Sequence, residues 1–169
     1  ITNETSVKLP KQLENVNISN SFLMVGTIEP RKGHEAFVKA FEDFSSEQER
    51  YNLIIVGKPG WKTERLQQKL NELNQADTKR IIWLNDCQDD VLTYLYNNCC
   101  CLASASYGEG FGLPLVEASS YQLPLFVRDI PIYKEVAGAY SHYFEDDSSI
   151  KHQLHEWITS YENDSHPKS

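Results

Sequence analysis

Long apolar runs are missing from this sequence. None approaches the roughly 20 residues that a membrane-spanning helix needs, and no basic-then-apolar signal opens the chain. Both absences predict a cytoplasmic protein. An excess of positive charge is missing too: Asp and Glu outnumber Lys and Arg 24 to 16, for a formal net charge of -8. That balance excludes a general electrostatic partnership with nucleic acid, which needs a cationic face, so any anion site is expected to be local. Cysteine is scarce and badly placed for cross-linking. Of four residues, Cys99, Cys100 and Cys101 are consecutive, which suits neither a disulfide framework nor the separated pairs of a zinc site. They read as small core residues in a reducing compartment. The G-x-G-x-x-G dinucleotide fingerprint and the Walker loop are absent, as are internal repeats and low-complexity segments. Asn3, Asn17 and Asn163 open glycosylation acceptor triplets, which are short enough to arise by chance and carry no weight in a cytoplasmic chain.

What is present fits one folded domain. The 169 residues are 40% hydrophobic and 24% charged, ordinary values for a globular chain with a sizeable core. The first twenty residues are polar, do not begin with Met, contain a Leu9-Pro10 step and show no periodicity. Residues 1–20 are therefore expected to be a linker from something larger, 21–162 the folded domain and 163–169 a flexible tail. From Phe22 onward, short apolar runs alternate with amphipathic ones, the pattern of a parallel sheet covered on both faces. Strands are predicted at Phe22–Ile28, Asn52–Gly57, Arg80–Asn85, Cys99–Ser104, Pro124–Arg128 and His142–Glu145. Phe37, Phe41 and Phe44 recur at helical spacing, as do Leu66, Leu70 and Leu73. A last helix carries Ile150, Leu154, Trp157, Ile158 and Tyr161 on one stripe, with Ser148 or Ser149 placed to cap it. The fold class is α/β: a Rossmann-like doubly wound parallel sheet of about six strands, whose ligands bind at the carboxyl ends of the strands near a switch in strand order.

Two segments at such ends carry candidate chemistry. The first strand runs into Gly26-Thr27-Ile28-Glu29-Pro30-Arg31-Lys32-Gly33. Glycine lets backbone approach a ligand closely, a helix start offers free N–H groups, and Arg31 and Lys32 supply full charges for a diphosphate. An ordinary solvated loop with two surface cations is the competing reading. The fourth strand runs into Ser104-Ala105-Ser106-Tyr107-Gly108-Glu109-Gly110-Phe111-Gly112-Leu113-Pro114, and a helix containing Glu117 follows. Three glycines in five residues permit a tight positive-φ path, Pro114 suits a helix start, and the amides from Gly110 to Leu113 are free to face phosphate or sugar oxygens. Glu109 and Glu117, with seven residues between them, can each accept hydrogen bonds from vicinal hydroxyls. Here the competing reading is a glycine-rich turn with one solvated glutamate and one that stabilises the helix start.

These residues resemble the retaining GT-B glycosyltransferases of family four, the glycosyl transferases group 1, and in particular their mannosyltransferase-like members. Members of that family carry two glutamates separated by seven residues in a glycine-rich setting, preceded by a Gly-x-x-x-x-x-Lys-Gly type segment. Gly26 through Lys32-Gly33 and Glu109 through Glu117 are similar to both. The likeness runs from about Phe22 to Ser149 and includes Asp129-Ile130-Pro131-Ile132-Tyr133-Lys134-Glu135-Val136 and Tyr143-Phe144-Glu145-Asp146-Asp147. The resemblance implies that residues 21–162 are the C-terminal nucleotide-sugar-binding domain, with an N-terminal domain and its acceptor site preceding it. It implies Lys32 and Arg31 on the donor's diphosphate and Glu117 on the ribose. Glu109 would hold the transferred sugar, with Lys32 and Glu109 the catalytic pair. Gly26, Thr27, Gly110, Phe111, Gly112 and Leu113 would add contacts, and the base would lie against Leu84-Asn85-Asp86. Many members have Arg directly after the first-strand glycine. This chain has Thr27, so either Arg31 supplies the missing charge or one phosphate contact is lost.

The implied function is transfer of a hexose from GDP-mannose or a UDP-sugar to a glycan or lipid-linked acceptor in polysaccharide synthesis. Membrane contact would be peripheral at most. No Asp-x-Asp triplet occurs, so the metal-diphosphate clamp of the other major glycosyltransferase fold has no source, and no metal or other cofactor is expected. The alternatives are a non-catalytic nucleotide-binding or interaction module, or a sugar-nucleotide epimerase or phosphorylase of the same architecture. His34 and His142 read as structural or solvated, Lys58 as exposed, Asp89-Asp90 as a helix start, and Trp61 and Trp83 as packing residues.

Overall fold

The computed structural model describes residues 7–168. All six strands form, the first five a little shorter than predicted and the last of equal length but one residue earlier: β1 Ser21–Val25, β2 Asn52–Val56, β3 Ile81–Leu84, β4 Cys101–Ser104, β5 Leu125–Arg128 and β6 Ser141–Phe144. They make one parallel sheet in the order β3-β2-β1-β4-β5-β6. Between them lie α1 His34–Glu47, α2 Glu64–Asn74, α3 Asp89–Asn98, α4 Leu113–Ser120 and α5 Pro131–Ala137, with α6 Ile150–Glu162 at the end. The order reverses between β1 and β4, so the loops after these two strands diverge from a shared crevice.

Strand alternation sorts the side chains into two cores. Phe22, Met24, Leu53, Ile55, Ile81, Trp83, Cys101, Ala103, Phe126 and Phe144 face α1, α2 and α6. Leu23, Ile54, Val56, Ile82, Leu84, Leu102, Leu125 and Val127 face α3, α4 and α5. The period of two along each strand dictates this division, and burial on both faces explains why the strands read as unbroken apolar runs. The first core is aromatic. Phe22 packs edge-on to Trp157 at a centroid distance of 5.1 Å and to Phe41 at 5.7 Å, geometries favoured by the ring quadrupoles. Cys99, Cys100 and Cys101 are buried within the two cores as free thiols, and burial pushes the Cys99 thiol up to about 12.

Four expectations are corrected. The described part of residues 1–20 packs on the domain: Leu13 and Ile18, in two short 3-10 turns, are buried against the α3–α5 side. Isolated apolar residues in a polar stretch gave no periodic signal, yet two suffice to anchor it. The expected flexible tail likewise folds back. Ser165 N–H donates to the Ser160 carbonyl at 2.8 Å, and the His166 ring lies 5.1 Å from Tyr161. Ser149 does not cap α6 with its side chain. It instead shares a capping box with Asp146 one turn earlier. The two tryptophans expected to pack differ. Trp83 is buried and donates through Nε1 to the Gly57 carbonyl, whereas Trp61 is 75% exposed on the β2–α2 loop.

The burial contrast among tryptophans supplies a test. Trp157→Ala is expected to destabilise the domain by about 3–5 kcal/mol in denaturant titration, and Trp61→Ala by no more than about 0.5 kcal/mol. Equal effects would contradict the core assignment.

Candidate functional site

The site grows from the β1–β4 crevice. After β1 the chain passes Gly26 and Thr27 to a 3-10 turn, Pro30–Lys32, and enters α1 through Gly33 in the left-handed region at φ 72°. Gly33 is required twice over. A side chain there would be strained, and a Cβ would stand 2.1 Å from the Ala105 carbonyl oxygen. The β1–α1 and β4–α4 loops therefore touch backbone to backbone, and the Tyr107 N–H reinforces the contact by donating to the Arg31 carbonyl at 2.9 Å.

This contact brings Lys32 and Glu109 together. Lys32 Nζ donates to Glu109 Oε1, and Arg31 Nη1 lies 3.6 Å from Glu109 Oε2. Ser106 Oγ donates to the same Oε1 at 2.8 Å. Burial alone raises the Glu109 pKa. The hydrogen bonds from Lys32 and Ser106 and the charges of Lys32 and Arg31 outweigh it and hold the carboxyl below its ordinary value. Glu109 is thus an ionised acceptor held by the cations beside it. Arg31, more than half exposed, also donates to the Gly108 carbonyl and pairs with Glu29, so its guanidinium can turn toward an incoming anion at little expense.

Glycine shapes the rest of the loop. Gly112 stands in the left-handed region at φ 64° and precedes α4, with Pro114 in the first turn. Among the described residues no backbone carbonyl accepts from the amides of Gly110, Phe111, Gly112 or Leu113, which leaves them available to a ligand. Phe111 is 78% exposed and Leu113 66%. Glu117 is exposed on α4. Beneath it the buried Tyr96 hydroxyl has no well-formed hydrogen bond, and burial together with the Glu117 carboxylate pushes its pKa up.

Of the residues expected at the site, Arg31, Lys32 and Glu109 meet directly. Gly26 and Thr27 lie at the end of β1, where Gly26 N–H donates to the Val56 carbonyl and Thr27 is exposed. Leu84 is corrected. It is 1% exposed in the core and its carbonyl accepts from Gly57 N–H, so Asn85, exposed after β3, is the surface residue of that pair. β3 is the sheet edge, two strands from β1, or about 10 Å away.

Sequence reasoning gave no part in the site to three groups behind the pair. Ser106 stands three residues before Glu109, a spacing that could have suggested its bond. Tyr133, fully buried on α5, places its hydroxyl 2.7 Å from Ser104 Oγ, and nothing local in the sequence signals that. His34 opens α1, is 4% exposed and has no partner at Nδ1. A cavity of about 10 Å³ lies among Lys32, His34, Ser104, Ser106 and Glu109, room for about one water. By contrast, His142 is structural: its Nε2 lies 2.7 Å from Gln153 Oε1 and its ring stacks on Phe126.

Comparisons with known proteins bear on the family and the fold. The family described as glycosyl transferases group 1 matches residues 7–169. The chain is 46% identical over 151 residues to the serotype-specific mannosyltransferase WbdA of Escherichia coli, covering 88% of this chain and 18% of WbdA. It is 33% identical over 153 residues to the O-antigen chain mannosyltransferase RfbU of Salmonella typhimurium, covering 85% of this chain and 42% of RfbU. The chain therefore spans less than half the length of either relative. Its fold is similar to the C-terminal domain of a glycosyl transferase group 1 family protein (LpcC) from Francisella tularensis. That match has a TM-score of 0.73 and 19% identity, covering 86% of this chain and 78% of that one. The pneumococcal O-GlcNAc transferase GtfA, solved with UDP and GlcNAc, matches with a TM-score of 0.70 and 22% identity, over 88% of this chain and 30% of that one.

His34 gives the site a pH signature. Burial first, and then the neighbouring Lys32 charge, lower its pKa from 6.5 to about 4. The unfolded chain therefore binds this proton more readily than the folded one, and stability falls as pH drops from the unfolded value toward the folded one. Between about pH 7.5 and about pH 5 the loss is expected to reach about 2 kcal/mol, and His34→Gln should remove it. His142 and His166, also lowered by burial, retain their smaller share. Denaturant midpoints at the two pH values decide it, and an unchanged slope in the variant would refute the assignment.

Proposed function

The chain belongs to the glycosyl transferases group 1 family, and on that premise we propose that it is the donor-binding domain of a retaining, mannosyltransferase-like GT-B enzyme. The enzyme moves a hexose from a nucleoside-diphosphate sugar, GDP-mannose first and a UDP-sugar second, to a glycan or lipid-linked acceptor. One observation carries this reading: Lys32, Arg31 and Glu109 converge where the strand order reverses. A nucleotide sugar presents a diphosphate and a ring of hydroxyls side by side, and this cluster offers fixed cations and an ionised carboxylate side by side.

Transfer breaks the bond between the anomeric carbon and the diphosphate oxygen and forms one to an acceptor hydroxyl. Negative charge grows on the departing nucleoside diphosphate. Lys32 and Arg31, with the free amides from Gly110 to Leu113, stabilise that charge from preorganised positions. Glu109 holds hydroxyls of the sugar, Glu117 those of the ribose, and Asn85 borders the base. The similarity to WbdA, a serotype-specific mannosyltransferase, and to RfbU, an O-antigen chain mannosyltransferase, supports mannose and a glycan acceptor. The acceptor site belongs to an N-terminal domain, so this chain by itself binds donor without efficient transfer. The four free thiols are in keeping with a cytoplasmic location.

Thermal-shift titration with GDP, GDP-mannose, UDP and UDP-glucose tests the reading. Stabilisation by one nucleotide and its sugar is expected, together with its loss in Lys32→Ala and Glu117→Ala. In the full-length protein, Lys32→Ala is expected to lower turnover about a hundredfold, equivalent to about 3 kcal/mol. No shift with any nucleotide would favour a non-catalytic interaction module instead.

The reading also includes metal independence, because the leaving group's charge is met by side-chain cations. Among the described residues no group of three or more His, Cys, Asp or Glu is disposed to hold a metal ion. Donor binding is expected to survive a chelator. Loss with chelator and recovery with magnesium or manganese would overturn this part of the proposal.

A further inference from the structure

Behind the glycine-rich loop lies a buried charge that the proposed chemistry does not use. Arg128 ends β5 and is 5% exposed. Its Nε donates to the Ala105 carbonyl at 3.0 Å, and its Nη2 donates to Asp147 Oδ1 at 2.6 Å. The guanidinium sits over the Tyr107 ring, 4.2 Å from the centroid, and over Phe144 at 5.0 Å. The Tyr107 hydroxyl closes the circuit by donating to Asp147 Oδ2 at 2.8 Å. One carboxylate, from the turn ahead of α6, thus holds both the cation and the phenol stacked beneath it.

Burying an arginine is expensive unless its fork is hydrogen-bonded and its charge paired. Here the fork grips the loop that leads to Glu109. Ala105, Ser106 and Tyr107 are its first residues, and the Ala105 carbonyl held by Arg128 is the one against which Gly33 abuts. On the other side, Tyr107 N–H donates to the Arg31 carbonyl. The same three residues are therefore gripped from β5 and from the β1–α1 loop.

We propose that Arg128, Asp147 and Tyr107 form a clamp that sets the position of Ser106 and Glu109 relative to Lys32. They are positioning residues for the transferred sugar, not for the nucleotide. Of the nucleotide's expected contacts, Lys32, Arg31, Glu117 and Asn85 lie on other segments and the Gly110 to Leu113 amides at the far end of the loop, where Gly112 packs against Val136, whereas Glu109 follows the clamped residues directly. The proposal rests on the reading of Glu109 as the sugar ligand.

Its test compares Arg128→Lys, which keeps the charge and loses the fork, with Tyr107→Phe, which keeps the ring and loses the hydroxyl. Two readouts are taken. Hydrogen exchange of residues 105–112 is expected to quicken in both variants while the sheet amides stay at the wild-type rate. Affinity for GDP-mannose, with UDP-glucose as the second probe, is expected to fall about tenfold in Arg128→Lys and about threefold in Tyr107→Phe. Affinity for GDP or UDP should change by less than about twofold, because those ligands lack the sugar. Equal losses for nucleotide and nucleotide sugar would mark a general structural role and overturn the proposal, as would wild-type exchange in a folded Arg128→Lys. If the wild-type protein binds no nucleotide, the donor reading fails by itself, and the exchange of residues 105–112 still decides whether the clamp exists.

Discussion

The ion pair between Lys32 and Glu109 is the interaction on which the site depends. Its partners stand 77 residues apart in sequence, and each belongs to a loop that has no intrinsic reason to adopt one conformation. What joins them is the sheet. β1 and β4 pair in parallel, so their carboxyl ends lie side by side, and Gly33 allows the two loops to touch at the Ala105 carbonyl. A cation and a carboxylate held that closely already satisfy each other's charge. In the proposed reading a donor binds by exchanging contacts, its phosphate drawing on the cations and its hydroxyls on the carboxylate, without exposing either charge unpaired.

The two cores explain why this arrangement is rigid enough to matter. The aromatic core under α1 holds the segment that carries Lys32, while the aliphatic core under α3, α4 and α5 holds the helix that carries Glu117. Tyr133 belongs to the second core and reaches Ser104 at the end of β4, and Gly112 is packed against Val136 of the same helix. The loop from Ser104 to Gly112 is therefore supported from beneath at both ends. Its surface is left to glycines and to exposed Phe111, a composition that keeps backbone amides accessible.

Much of this was legible in the residues. All six strands, and helices α1, α2 and α6, follow from apolar runs and helical spacing, because each strand buries both faces and each helix only one. Spacing within glycine-rich segments singled out Lys32, Glu109 and Glu117, of which the structure brings the first two together. Leu84 was misjudged because a strand-end residue can point inward or outward, and only its register with β2 settles which. Residues 7–20 were taken for a linker because two isolated apolar side chains, Leu13 and Ile18, leave no periodic trace. His34 looked like an ordinary helix-start residue until burial made its ring neutral.

The sequence by itself determined the elements, the absence of a cationic face and the residue types at the two loops, because these follow from local periodicity and local chemistry. The tertiary structure alone decided which charges meet. Arg128 shows why. It ends an apolar strand and nothing local signals its partners, yet the parallel pairing of β5 with β4 sets it beneath Ala105, and Asp147 covers it. Contacts of that kind arise from strand order and register, which depend on packing summed over the whole sheet and are not recorded in any one segment.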